Sequence, residues 1–523
     1  MMARERDRFS NTFWTAPWKM GEAFFQSLNA TALYWQGIHR YSNAFVHPML
    51  QAYMYFLREQ TRKLEHNDSR NVRDYAELST FSMLLAAIVI RASLDKALKY
   101  HFKEYINFLS SVVNTVAGRA GGVDTFMTDT VRSLHTMVID FPEAVRNIRK
   151  EYGFHFDDGK YVQVAETERM LLYQVLPTDP GVTVDPEIKP VLIAHPYVLG
   201  PNILAFLPGE RKSYVHSFAN ESIPTYVRII KDISSNSAVQ VMTGEDDALD
   251  TRYFARILME RHGKPVTLNG VCQGGFILLA DLLSGQLDGF VDALITAASP
   301  IDGTRSPGLT GYLDRIPSGF KDLVYATKVL PNGNKVIDGE VMSWVYKLKS
   351  LDKEFSLSTF YKDLDTFEQS VRRHDDTIGK TMAAINYWLV HDRTDLPVEI
   401  TNLSKLSYTV PISHDGDLPF TLFGRRLNLK HIAEQRISYL VCYGAQDNLV
   451  EPASATAALD FIDAESTEFP KGHAAIFTSW TQPESEYALH KIFPNGQRGP
   501  VRFHLDLDEA SPDACRHKQA SGW

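Results

Sequence analysis

The chain has 523 residues, enough for two or three domains of the usual size, roughly 100–200 residues each. Hydrophobic residues at 44% and charged residues at 22% are typical of a globular protein, so a mainly disordered chain is excluded. The 54 Lys and Arg against 63 Asp and Glu give a net charge of −9. No long basic run offsets that charge, so we expect no nucleic-acid partner.

Cysteine usage and the first residues indicate a cytoplasmic protein. The three cysteines, Cys272, Cys442 and Cys515, are too few and too scattered for a disulfide framework or a Cys-x-x-Cys metal site. Residues 1–10 mix Arg, Glu and Asp, and no apolar core with a cleavage site follows them, as a signal peptide would require. The apolar stretch 83–90 is far shorter than the ~20 residues that cross a bilayer, so we expect no transmembrane segment.

The first part of the chain predicts a mostly helical accessory domain over residues 1–152. Ala, Leu, Met and aromatic residues recur there at helical spacings, and proline is nearly absent after Pro48. The aromatic residues either pack helix on helix or form a hydrophobic docking surface. They include Phe24, Phe25, Tyr34, Trp35, Tyr53, Tyr55 and Phe56.

After Gly153 the pattern predicts a largely parallel α/β sheet over residues 153–500. Short apolar runs typical of strands alternate with helix-compatible segments. They lie at 161–165, 170–176, 190–195, 226–230, 266–271, 293–297 and 438–443. Between about 303 and 435 this rhythm is lost, which predicts an inserted cap or lid. Residues 501–523 are expected to form a C-terminal tail.

One cysteine lies in a turn that favours nucleophilic chemistry. Gly270-Val-Cys272-Gln-Gly274-Gly275 follows a buried strand and precedes a helix-compatible run. A nucleophile elbow needs small residues two positions either side of the nucleophile because its backbone passes close to itself. The backbone N–H of Gln273 would then face an oxyanion. The plainer alternative is that Cys272 is a small buried residue beside a glycine turn.

An acid and a histidine follow in the chain order of α/β hydrolases. Asp447 comes after the strand predicted at 438–443, and His473 comes after Gly472 in a later loop. Alone, Asp447 could cap a helix or form a turn, and His473 could be an ordinary histidine. Together with Cys272 they predict an α/β-hydrolase fold with a Cys-His-Asp triad.

Five further residues belong to the predicted site or its surroundings. The second oxyanion donor should come from the loop after the first parallel strand, where Tyr197 and Val198 are the candidates. His195 in the same loop is interpreted as an anchor without chemistry. Cys442 lies in an apolar strand and is expected in the core, and Cys515 is expected to be an idle tail thiol.

These motifs resemble the polyhydroxyalkanoate synthase family over about residues 189–477. The similarity is carried by the Cys272 box, by Asp447 with the following Leu-Val-Glu-Pro, and by Gly472-His473; Tyr387-Trp388 with 392–397 is less specific. The resemblance implies that Cys272, His473 and Asp447 transfer (R)-3-hydroxyacyl groups from coenzyme A to a growing polyester. It also implies a helical N-terminal domain that could support a homodimer or contact a polymer granule.

No cofactor is implied, because neither a phosphate-binding glycine loop nor clustered metal ligands are present, and coenzyme A would only carry the substrate. Two alternatives remain open. The chain also resembles intracellular polyhydroxyalkanoate depolymerases in Ser299-Pro-Ile-Asp302-Gly-Thr-Arg305, and water could capture an acyl-cysteine in a depolymerase or thioesterase. The other alternative is a non-catalytic, granule-associated scaffold that has kept a hydrolase fold.

Overall fold

The computed structural model describes residues 2–65, 71–313, 323, 326–342, 356–375 and 377–507. The chain divides into two compact units. The first, here called the helical unit, comprises residues 1–148, 317–325 and 344–387. The second, here called the sheet unit, comprises residues 149–316, 326–343 and 388–523.

The helical unit is built on long helices that pack through apolar faces. Its helices are α1 (Met2–Glu65), α2 (Asn71–Val116), α3 (Val123–His135), α4 (Phe141–Asn147) and α10 (Ser356–Arg372). A Cβ on Gly37 of α1 would lie 2.6 Å from the ring of Phe360, so a glycine is needed where α1 meets α10. Tyr34 and Tyr41 place their rings edge-on to the same Phe360. The accessory region is therefore helical, as predicted.

The aromatic residues of α1 divide between the two predicted roles. Tyr55 and Phe56 are buried, whereas Phe24, Phe25 and Trp35 are more than half exposed. Helix packing accounts for the first group only. The second group is exposed, and so are several apolar residues of α2, among them Leu98, Phe102, Tyr105, Val113 and Val116.

One helix of the described chain is long and apolar enough to cross a membrane, by length and composition. It covers Tyr75–Val116 within α2, with a mean hydropathy of 1.5 in its most apolar window, of which 7% is buried. The expectation of no such segment considered residues 83–90 alone and missed the apolar residues on both sides. A single helix of this kind is weak evidence for a span, since core helices have the same composition.

The sheet unit has an α/β-hydrolase fold, as predicted. An eight-stranded sheet has the order β1-β2-β4-β3-β5-β6-β12-β13, in which β2 is antiparallel to both neighbours and the strands from β4 to β13 are parallel. The strands are β1 (Tyr161–Glu166), β2 (Met170–Val175), β3 (Val191–Ala194), β4 (Thr225–Ile230), β5 (Val266–Val271), β6 (Val291–Ala297), β12 (Ser438–Gly444) and β13 (Glu465–Phe469).

Helices connect these strands and cover the sheet. They are α5 (Tyr214–Ala219), α6 (Ser237–Gln240), α7 (Gly244–His262), α8 (Gln273–Leu283), α9 (Pro307–Leu313), α13 (Lys430–Glu434) and α14 (Pro452–Ala455). Every residue of β3 and of β5 is buried, which is why both strands read as continuous apolar runs in the sequence. The carboxyl ends of β5, β12 and β13 lie on one edge of the sheet, where ligand sites of open α/β sheets occur.

Between β6 and β12 the chain leaves the large sheet. It forms a three-stranded sheet of β7 (Thr327–Val329), β8 (Lys335–Ile337) and β9 (Leu396–Pro397), and a hairpin of β10 (Asp417–Leu422) and β11 (Arg425–Asn428). Two helices, α11 (Lys380–His391) and α12 (Val398–Thr409), lie in the same insertion, and residues 380–387 of α11 belong to the helical unit.

The units differ from the predicted domains in three places. The predicted cap, 303–435, is shared between both units, because α10 packs on α1, α2 and α3. The first boundary falls after Ile148 rather than after 152, since the Tyr152 hydroxyl donates to Asp392 in the sheet unit. The predicted tail starts within the sheet unit, where Val501, Phe503 and Leu505 are buried. Cys515 lies outside the described residues.

Candidate active site

Cys272 occupies a sharp turn between β5 and α8. Its φ of 51° and ψ of −123° are a conformation that residues other than glycine rarely adopt. The Cys272 backbone N–H donates to Ala297 O at 2.8 Å, which ties the turn to β6. A Cβ on Gly270 would collide with the backbone of Gly275, and one on Gly274 with the carbonyl oxygen of His195. The glycines therefore allow the close backbone approach that an elbow requires.

Asp447 and His473 lie together at the carboxyl ends of the last strands. Nδ1 of His473 lies 2.7 Å from Oδ2 of Asp447. The other oxygen, Oδ1, accepts the backbone N–H groups of Leu449 and Val450 at 2.9 Å each. The Asp447 side chain is fully buried. These bonds fix the carboxylate and leave Nε2 of His473 as the ring nitrogen available for chemistry.

The third predicted residue lies beside this pair, close enough for the Cys272 side chain to influence the pKa of the His473 imidazole. Burial by itself lowers the pKa of His473. The acidic neighbours Asp447 and Cys272 outweigh burial, so the pKa of His473 lies well above its usual value. The structure thus brings Cys272, His473 and Asp447 together, with the imidazole between the carboxylate and the sulfur, which is the order that an activated cysteine nucleophile requires.

The predicted oxyanion donors are in different states. The Gln273 N–H lies in the first turn of α8, and neither it nor the Tyr197 N–H has an acceptor within the described residues. The Val198 N–H, by contrast, donates to Oε1 of the Gln273 side chain at 3.3 Å. A donor engaged in this way cannot also bind an oxyanion. The engagement of the Val198 N–H could not be predicted from the sequence, because it depends on the Gln273 side chain turning towards the loop after β3.

The Tyr197 side chain belongs to a buried charged cluster. Its hydroxyl donates to Asp247 and accepts from Nη2 of Arg228 at 2.9 Å. Thr251 and Asp281 complete this cluster, and all five side chains are buried. Burial, reinforced by the charge of Asp247, raises the pKa of Asp281 well above its usual value.

The cluster was missed by sequence reasoning, although one signal was present. Arg228 stands in the middle of the apolar strand β4, where a charged residue must find a buried partner. The partners come from α7 and α8, which the sequence does not place next to β4. Through Tyr197, the cluster anchors the loop that follows β3.

A second set of contacts holds the same loop from residues 388–392. The indole N–H of Trp388 donates to Leu199 O at 3.2 Å. Asp392 accepts from the Tyr152 hydroxyl at 2.9 Å and from the Asn202 amide at 3.1 Å. The loop after β3 is therefore held at both ends, and the less specific part of the family resemblance, Trp388 and Asp392, lies in these anchors.

The remaining candidate residues, His195 and Cys442, are buried in the fold. Burial lowers the pKa of His195 to about 4, and its Nδ1 lies 3.0 Å from Pro196 O. Cys442 is buried in β12, and that burial raises the pKa of its thiol. Over the described residues, no group of three or more His, Cys, Asp or Glu side chains could hold a metal ion.

No protein-family model and no curated protein matches the sequence. Among solved structures, the carboxylesterase CesB from Bacillus subtilis is 12% identical, with a TM-score of 0.31, and the match covers 65% of this chain and 93% of that one. The thioesterase domain from the curacin biosynthetic pathway is 12% identical, with a TM-score of 0.32 and coverage of 61% and 95%.

A third solved structure, naproxen esterase from Bacillus subtilis, is 13% identical, with a TM-score of 0.30 and coverage of 65% and 93%. TM-scores this low carry no weight for function, and the fold assignment rests on the strand order given above.

Proposed function

We propose that this protein is an acyltransferase that builds a polyester from (R)-3-hydroxyacyl-coenzyme A through an acyl-Cys272 intermediate. The observation that carries the proposal is the hydrogen bond between Asp447 and His473 together with the position of His473 beside Cys272 at a glycine-lined elbow. A cysteine with an adjacent histidine to take its proton suits attack on a thioester carbonyl. The family resemblance of the motifs around these three residues supplies the substrate class.

The reaction would use the same residues twice. His473 holds the proton of Cys272 while the thiolate attacks the thioester carbonyl; coenzyme A leaves as its thiol with that proton, and the acyl group stays on Cys272. The hydroxyl of another acyl unit then gives its proton to His473 and attacks the acyl-cysteine. An ester forms and the Cys272 thiolate is released. Asp447 keeps the imidazole oriented in both halves and balances its charge.

The partners of such an enzyme would be the coenzyme A thioester and the polyester, in the cytoplasm or at a polymer granule. The exposed apolar residues of α1 and α2 support a contact of the helical unit with the granule surface or with a second copy in a homodimer. No cofactor takes part in this scheme.

A hydrolase, either a depolymerase or a thioesterase, is the second candidate. Asp302 and Arg305 belong to the stretch that resembles depolymerases, and they form an ion pair at 3.2 Å beside the carboxyl end of β6. Water would then replace the hydroxyl of the second acyl unit as the attacking group.

Incubation with (R)-3-hydroxybutyryl-coenzyme A separates these functions when free thiol and polymer are followed together. Thiol release with polymer, both lost in Cys272→Ala, is the expected result. Thiol release with free hydroxy acid alone would favour the hydrolase. Intact thioester with the wild-type protein would contradict a synthase or a thioesterase that acts on this substrate.

A further inference from the structure

The Gln273 side chain connects the loop after β3 to a helix of the insertion. Its Oε1 accepts the Val198 N–H at 3.3 Å, and its Nε2 donates to Oγ of Ser404 in the middle of α12. Gln273, Val198 and Ser404 are all less than a tenth exposed. The amide therefore has a partner at each end, and water does not compete for either bond.

This position has a direct chemical consequence. Gln273 follows the nucleophile, so its backbone N–H is placed to donate to an oxyanion. Its side-chain oxygen, however, accepts the Val198 N–H, which is the candidate donor on the opposite side. A negatively charged oxygen binds at its site only when its donors point at it and are free. In the described conformation, one of the predicted donors is unavailable.

The helix that holds Gln273 is itself anchored to distinct parts of the sheet unit. A Cβ on Gly244, at the start of α7, would lie 2.7 Å from Leu403, and one on Gly303 would collide with Tyr408. At its beginning, α12 follows directly on β9, which pairs with β8. The Ser404 side of the Gln273 amide is thus fixed by a helix of the insertion. That helix has packing contacts different from those of the loop that carries Val198.

We propose that the Gln273 side chain is a latch on the oxyanion site, released when α12 moves or when the acyl group displaces the amide. In the latched state Val198 N–H is engaged and acylation of Cys272 is slow; in the released state the N–H is free to bind the oxyanion. Gln273 is in this sense a positioning residue that acts through Val198. The inference rests on the proposed role of Cys272 as nucleophile.

Two small probes of Cys272 in the full chain test the latch without the natural substrate. Acylation by p-nitrophenyl acetate passes through an oxyanion, whereas alkylation by iodoacetamide does not. The ratio of the two rates therefore reports the oxyanion site separately from the reactivity of the thiolate. Gln273→Ala should raise this ratio by about tenfold or more, given that one oxyanion donor contributes on the order of 100-fold to 1,000-fold.

Further variants separate the latch from a general effect on packing. Ser404→Ala removes the far partner of the amide and should raise the ratio in the same direction. Gln273→Glu should lower the ratio, because a carboxylate would hold the Val198 N–H more strongly. Ser407→Ala is the matched control: this buried serine lies about one turn further along α12, and its hydroxyl donates to Ser404 O rather than to the Gln273 amide, so the ratio should not change.

An unchanged or lower ratio in Gln273→Ala, with normal alkylation, would overturn the latch while leaving Cys272 as the nucleophile. The latch would be overturned equally if Ser404→Ala behaved like Ser407→Ala. Absence of both acylation and alkylation at Cys272 in the wild-type protein would instead overturn the proposed function, and the latch with it.

Discussion

The pKa of His473 is raised by its two acidic neighbours against the effect of its burial. Asp447 contributes the larger attraction and Cys272 the smaller one, and together they raise the pKa of His473 well above its usual value. The imidazole should therefore keep its proton through neutral pH and lose it on the alkaline side. Loss of that proton removes the partner of the thiolate.

Asp447→Asn should shift the alkaline change in Cys272 reactivity to lower pH. The substitution removes the larger of the two attractive charges, so the pKa of His473 falls. The measurement is the rate of iodoacetamide alkylation at Cys272 from pH 5 to pH 10. We also expect turnover to fall by about 10⁴-fold, as occurs when the orienting acid of a triad is replaced by its amide.

Asn448→Ala is a suitable control because Asn448 neighbours Asp447 without belonging to the triad, and its pH profile should match that of the wild type. An Asp447→Asn profile with an unchanged midpoint would show that His473 is not the group that sets it.

At the scale of single residues, the sequence predicted which residues lie at the site better than it predicted how their side chains are oriented. Cys272, Asp447 and His473 could be picked out because their neighbours, glycines and strand ends, are local features of the chain. The engagement of Val198 by Gln273 and the turn of Tyr197 towards Arg228 depend on side-chain torsions and on residues far away in sequence. No periodic pattern encodes such contacts.

Among the secondary-structure elements, β4, α7 and α8 are held together by the buried pair of Arg228 and Asp247. Both side chains are almost completely inaccessible, and Asp247 also accepts from the Tyr197 hydroxyl. Removing one partner of a buried pair leaves the other charge without compensation, which typically costs about 3–5 kcal/mol. The pair therefore links sheet stability to the position of the loop after β3.

Arg228→Met should lower the free energy of unfolding of the sheet unit by about 3–5 kcal/mol, measured by urea titration. Arg256→Gln on α7 provides the comparison, since Arg256 lies on the surface 3.9 Å from Glu260. That substitution should change the free energy by less than about 1 kcal/mol. Equal effects of the two changes would contradict a special role for the buried cluster.

Seven of the eight strands of the large sheet were predictable from the sequence, whereas β13 and the strands of the insertion were not. Fully buried parallel strands such as β3 and β5 give continuous apolar runs, which stand out from their surroundings. The strands β7, β8 and β9 have only two or three residues each, too few for a period of two to be recognised. Their pairing is set by contacts across the insertion rather than by their own sequence.

On the scale of the whole molecule, the helical unit is assembled from separate parts of the chain. The inner face of α10 is buried within this unit, and α10 packs on α1, α2 and α3. That face consists of Phe360, Leu364, Phe367 and Val371. Since α10 follows β6 in sequence, an N-terminal deletion removes the helices that cover it.

Deletion of residues 1–148 should therefore expose an apolar face and cause association. We expect increased binding of an apolar dye and early elution in size-exclusion chromatography, because contiguous apolar surfaces of this kind promote aggregation. Introducing Phe360→Ser and Phe367→Ser into the shortened chain should reduce both effects. A shortened chain that stays monomeric and binds no dye would contradict this account of α10.

Because segments of the two units alternate along the chain, the parts of the helical unit are synthesised at different times. Roughly 200 residues separate Ile148 from α10, and a ribosome adds about 5–20 residues per second, so α1 to α3 wait about 10–40 s for their last partner. Over that interval the surface later covered by Phe360 and its neighbours is open to other chains. The newly synthesised helices α1 to α3 are thus expected to remain without α10 for far longer than a helix needs to form. Their uncovered apolar surface makes them a substrate for chaperones.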